Sequence, residues 1–231
     1  MSNSKAQARR EHLARIRAAQ KRKERRTSIL MWGTGGVIGV LLVGSVAWYL
    51  VDQNAQTSLD AVKSYSYTGS QHTPVKVAYK ETPPVGGEHH GTWQRCAVYD
   101  KPVNNEHAVH SMEHGAVWIT YRPGLAQPQL DRLKELASDD YLLLSPYPGL
   151  PAPVVASSWN KQLTFQDAND PKLPKFISTY KNGPETPELG AACDGPNSTD
   201  ATADVAPIPA APAQSGQPSA PATPSAPAEE S

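Results

Sequence analysis

Twenty-three consecutive residues without a charge, Ile29 to Val51, decide most of what this chain can be. A helix over them reaches about 34 Å, enough for a hydrocarbon core of about 30 Å. Trp32 stands at one end and Trp48-Tyr49 at the other, where interfacial aromatics belong. Residues 1–28 carry ten Lys/Arg against Glu11 and Glu24, a net +8, although the chain as a whole is neutral. Everything after them therefore carries −8. A sequence so divided is read as a basic cytoplasmic arm (1–28), a single transmembrane helix (29–51), a short linker (52–58) and an outer part on the far side of a cell membrane.

The arm, KAQARREHLARIRAAQKRKERR, is rich in helix formers, and only Leu13 and Ile16 offer apolar bulk. A basic arm next to a membrane span is attracted to anionic lipid head groups, so the bilayer rather than nucleic acid is its expected partner. Ser45-Val46-Ala47 resembles a signal-cleavage site, but the apolar run exceeds a usual signal core and Trp48-Tyr49 would make a poor mature start. The segment reads as an uncleaved anchor. Gly35 and Gly39 form a GxxxG pair through which two such helices could approach, giving a homodimer.

Residues 196–231 hold eight Pro and ten Ala, with no Lys, Arg or aromatic residue. Such a segment has too little apolar bulk to offset its chain entropy and is expected to be a disordered tail. That leaves 59–195 as the folded part, with three Trp, eight Tyr and both Phe. Val75–Tyr79, Arg95–Tyr99, Ala116–Tyr121, Tyr141–Ser145, Val154–Trp159 and Gln162–Phe165 read as strands, with a turn at Asn160-Lys161. Leu130, Leu133, Leu136 and Ala137 recur at helical spacing, and a last helix is expected between Asp170-Pro171 and Asn182-Gly183. The pattern predicts one compact extracytoplasmic α+β domain. Cys96 and Cys193 both fall in it, and in an oxidising compartment they are expected to pair; without a CxxC motif the bridge is structural.

The blocks PPVGGEHHGTW (83–93), CAVYDKPVNNEHAVHSMEHGAVWITYRPGL (96–125), YLLLSPYPGLPAPVVASSW (141–159) and GPETPELGAAC (183–193) resemble the bacterial domain-of-unknown-function family 3105, found mostly on single-pass membrane proteins of high-GC Gram-positive bacteria. GGEHH stands where that family more often has Ser-Gly-x-His, and Met112 where it has Leu. The resemblance implies membrane anchoring and the domain's extent, but no activity.

Chemistry must come from the histidines. Six of seven lie in the outer part, and His89, His90, His107, His110 and His114 fall within 26 residues, beside Glu88, Glu106, Met112 and Glu113. Neutral imidazole suits zinc and copper, and a thioether favours Cu(I). If 106–114 is a helix ending at Gly115, His107, His110 and His114 share a face; if extended, His110, Met112 and His114 do. His72 and His89 would join them from neighbouring strands. The leading candidate ligands are His72, His89, His110 and His114, with His90, His107, Met112 and Glu113 secondary, and copper or zinc as the cofactor.

Against this stands a plain structural cluster of hydrogen-bonded histidines. His110-x-x-Glu113-His114 also fits the inverted-zincin pattern HxxEH, with Glu185 or Glu188 as third ligand. The glycine and strand that follow at once leave little room for the helix that chemistry needs. A non-catalytic interaction module of the cell envelope is the other class, with YLLLSPYPGLPAPVV as its docking surface should those residues be exposed.

Overall fold

The computed structural model describes residues 2–211, which form two compact units, one up to Ser58 and one from Leu59 onward. In the first, arm and apolar run are one helix, α1 (Ser2–Gln56). No proline interrupts it, and its hydroxyls turn back onto it: Thr34 Oγ1 donates to the Leu30 carbonyl (2.7 Å) and Ser45 Oγ to that of Leu42 (2.9 Å). Its apolar side chains, from Ile29 through Val51, are exposed. Among the described residues this is the one helix long and apolar enough to cross a membrane.

The second unit is α+β. Its five-stranded mixed sheet comprises β1 (Lys63–Ser64), β2 (Val117–Tyr121), β3 (Leu142–Pro146), β4 (Val154–Ser158) and β5 (Lys161–Phe165), in the order β1-β5-β4-β2-β3. β2 and β3 are parallel and therefore need a crossover, which α3 (Gln127–Leu136) supplies; the other pairs are antiparallel. Asn160 turns β4 into β5 at φ +60°, a conformation asparagine tolerates. β2, β3 and β4 are buried along their whole length, because alternate side chains serve two different cores. Val117, Ile119, Leu142, Leu144, Val154 and Phe165 pack with Leu133 of α3 and with Leu173, Phe176 and Ile177 of α4 (Lys172–Tyr180). Trp118 and Leu143 point the other way, onto Ala108, Val109 and Met112 of α2 (Asn105–Glu113).

Three expectations are corrected. Val75–Tyr79 and Arg95–Tyr99 are not strands. Arg95 N–H is taken by the Thr199 carbonyl and Val77 N–H by the Glu106 carboxylate, and only a single bridge, Val98 to Leu144, reaches the sheet. The run YLLLSPYPGLPAPVV is no docking surface: Leu142, Leu143, Leu144, Leu150, Ala152, Val154 and Val155 are all buried.

The third concerns where the tail begins. Residues from 212 onward lie outside the described residues, but 196–211 pack on the domain. Thr199 exchanges backbone hydrogen bonds with Trp93 and Arg95 (both 2.9 Å), Ala203 N–H donates to Pro102 (2.9 Å), Lys76 N–H donates to Pro209 (2.8 Å), and Ile208 is buried. Composition misses this because backbone groups, which composition does not weigh, make most of the contacts. Cutting the chain after Gly195 is therefore expected to cost roughly 3 kcal/mol, one buried Ile plus a few hydrogen bonds. In a thermal melt that is a loss of roughly 10 °C. An unchanged melting temperature would show these contacts to be energetically empty.

Candidate metal centre

α2 carries the histidines, and its termination is what makes their arrangement sharp. Gly115 N–H donates to the Met112 carbonyl (3.0 Å) and Ala116 N–H to that of Ser111 (2.9 Å), which is the Schellman arrangement. It requires the left-handed conformation that Gly115 adopts (φ +105°), and a Cβ there would collide with Asn182 Oδ1. The helix thus stops in one residue, β2 begins at once, and His114 is fixed as the last helical cap.

Every residue of α2 from Glu106 to Glu113 is buried. One side faces the sheet. The other is covered by the segment 69–94, in which His72 and His89 sit on adjacent extended stretches joined by a parallel bridge. Thr73 N–H donates to His89 O (2.7 Å) and His89 N–H to Gln71 O (2.9 Å). The first of these stretches can lie close to α2 because Gly69 leaves room: a Cβ there would collide with Glu113 Oε1.

The ligand atoms of His72, His89, His110 and Glu113 lie within 4.8 Å of one another. A second group, His110, His114 and Glu188, meets the same limit and shares His110. The orientation of the rings is informative. Nδ1 of His89 lies 2.7 Å from the Gly87 carbonyl, Nδ1 of His110 2.7 Å from that of His90, and Nδ1 of His114 2.8 Å from that of Ala192. A carbonyl only accepts, so each Nδ1 carries the hydrogen and each Nε2 is left as the second face of the ring. His89 Nε2 then meets Glu113 Oε2 at 2.9 Å, and His114 Nε2 meets Glu188 Oε2 at 3.2 Å. Two acceptors at such distances need a positive charge between them, a proton or a metal ion.

Burial, opposed in part by the hydrogen bond to His90, pushes the His110 imidazole down to about 4. It stays neutral well below the ordinary histidine range, so protons do not compete for its Nε2 in mild acid. Burial pushes the Glu113 carboxyl up, but hydrogen bonds from His89 and from Ser70 N–H more than offset it, and its pKa lies below the usual value. An imidazole that stays neutral, an ionised carboxylate and two further imidazoles beside them are the kind of set a borderline transition metal takes.

The other candidates lie elsewhere. Met112 is wholly within the apolar core with Trp118, Leu143 and Trp159, because the helix turns it towards the sheet. His107 packs against His90 (ring centroids 4.8 Å) and not against His110, and His90 Nδ1 accepts Thr92 N–H. Glu185 pairs with Lys161 (3.0 Å). Glu88 lends only its backbone carbonyl, to Tyr79 OH, and Glu106 accepts Val77 N–H. Sequence reasoning missed the pinning carbonyls of Gly87, His90 and Ala192. Only the proximity of Gly87 to His89 hinted at one of them.

Compared with known proteins, residues 71–195 match the family model described as protein of unknown function (DUF3105), over more than half of the chain. Residues 7–67, essentially α1, are similar to the inhibitor of host cell division protein domain (Gp56). No curated protein and no solved structure matches the chain.

Proposed function

We propose that this chain, which belongs to the DUF3105 family of proteins of unknown function, is a membrane-anchored protein whose outer domain binds a copper or zinc ion through His72, His89, His110 and Glu113. The observation that carries the reading is the common orientation of the buried rings. His89 and His110 each donate Nδ1–H to a backbone carbonyl and turn Nε2 inward, as metal-ligating histidines do when an outer hydrogen bond fixes their tautomer. Three nitrogens and one carboxylate oxygen are a four-ligand set for zinc or copper, and His72, 43% exposed, leaves a way in from solvent.

The site favours holding an ion over hydrolysis. An HxxEH hydrolase needs its Glu free to take a proton from water. Here Glu113 Oε1 accepts Ser70 N–H and Oε2 faces His89, so the carboxylate acts as acceptor and ligand.

The anchor is α1, with the basic arm on the cytoplasmic side and the domain outside the cell membrane. The apolar exposed surface of its span and the bonded Cys96–Cys193 pair, which suits an oxidising compartment, support that placement. The face carrying Gly35 and Gly39 is open, as a helix pair in the bilayer would require.

The test is titration calorimetry of the full chain in detergent with Cu(II) and with Zn(II) near neutral pH, where free imidazole is mostly neutral. One saturable equivalent is expected, weakened in His72→Ala and lost or nearly lost in His89→Ala. Absence of saturable binding in the folded chain would leave protons, not metal, between the histidines and carboxylates, and the cluster would be structural.

A further inference from the structure

We propose that the outer domain holds one transition-metal ion at a time in either of two adjoining positions, and that His110 hands the ion from one to the other. The proposal rests on the metal-binding reading above. The inner position is His72, His89, His110 and Glu113; the outer is His110, His114 and Glu188.

His110 has a single nitrogen to give. Its Nδ1–H is committed to the His90 carbonyl, so Nε2 alone serves both positions. One lone pair binds one ion, and the two positions are never complete together. Charge agrees. Glu113 and Glu188 between them balance one divalent ion, and a second would leave charge uncompensated beside groups as buried as His89 and Glu113, both 0% exposed.

The two positions differ in a way that gives the transfer a direction. The outer one has three donors and ends on Glu188, whose side chain is 39% exposed. A carboxylate standing partly in water attracts a hydrated cation, whereas the inner position meets solvent only through the imidazole of His72. The inner one has four donors and less water, so it retains what the outer one captures. Between them the path is short. The ring of His110 lies 4.6 Å from that of His114 and 4.9 Å from that of His72, with Trp93 packed on both His110 and His114. His114 is held in place for this from behind, by the Ala192 carbonyl. Glu188 is held by its own N–H on the Glu113 carbonyl (3.1 Å).

Rapid mixing of the full chain in detergent with Cu(II), followed by quenching of tryptophan emission, reads loading, and calorimetry reads equilibrium binding. Wild type is expected to take one equivalent. Glu188→Gln keeps the shape of an exposed side chain and should preserve the fold. It and His114→Ala are both expected to retain one equivalent with an affinity changed only a few-fold, while loading slows at least tenfold. His72→Ala is expected to do the reverse, weakening equilibrium binding while leaving the initial capture fast. Two equivalents in wild type would overturn single occupancy. Unchanged loading in Glu188→Gln would overturn the outer position as the capture point, even with binding intact. No binding at all in folded wild type would instead remove the metal reading itself.

Discussion

His110→Ala should abolish saturable Cu(II) or Zn(II) binding by the full chain, while His107→Ala, three residues away on the same helix, should leave it nearly unchanged. His110 belongs to both ligand groups, so its removal leaves the inner one a donor short of four and cuts the outer one to a pair. The loss should exceed the roughly 10–100-fold that removal of an outer hydrogen-bond partner costs a metal site. The substitution is mild for the backbone, since alanine is the best helix former and α2 continues to be closed by Gly115. His107 faces His90 and offers its nitrogens to neither group. Acid adds a second check. Because the His110 pKa is depressed to about 4, its lone pair remains available as the solution is acidified through the ordinary histidine range. Protonation of His110 is therefore not the event that releases the ion in mild acid. If His107→Ala proved as damaging as His110→Ala, the helix as a whole, not the ligand set, would be responsible.

The contrast between these two histidines shows where sequence stops informing. Helical spacing puts His107, His110 and His114 on one face, and they are on one face. That face nevertheless runs for about two turns along the axis, so its residues meet different neighbours. His107, at its N-terminal end, meets His90, and His114, at its C-terminal end, meets Glu188. Which of them joins His72 and His89 depends on how the segment 69–94 is laid over α2, and that is decided by contacts with no signature in composition: the bridge of His72 to His89 and the Gly69 approach to Glu113. The sheet was easier to read. AVWITY and YLLLS are buried on both faces and so show unbroken apolar runs. Arg95–Tyr99 has the same appearance locally, yet its backbone is claimed by residues 193 and 199, about a hundred positions on. Long-range competition of that kind also hid the docking of 196–211, whose composition alone argued for disorder.

Replacing Cys96 or Cys193 by Ser should each destabilise the domain by about 4–5 kcal/mol in the chain-entropy model, and the double replacement by scarcely more. The bond is formed in the structure, with Cα atoms 5.5 Å apart and a sequence separation of 97, so it closes a loop that comprises most of the domain. Its loss should also reach the metal centre. Cys193 accepts hydrogen bonds from Cys96 N–H (3.3 Å) and Trp93 Nε1–H (3.2 Å), and the residue before it, Ala192, supplies the carbonyl that orients His114. Tyr141 OH holds the neighbouring Ala191 carbonyl (2.8 Å). Without the bridge, this strap is tied on one side by Glu188 to Glu113 and on the other by Thr199 to Trp93. Urea titrations of the oxidised wild type, the reduced wild type and the single mutants measure the effect. The expected result is a common large drop in the midpoint with a somewhat steeper slope, since the unfolded chain freed of the cross-link is less compact and exposes more surface. A drop worth less than about 1 kcal/mol, the size of a single ordinary hydrogen bond, would mean that these flanking contacts hold the strap unaided. The stabilising role would then pass from the disulfide to the segment 196–211.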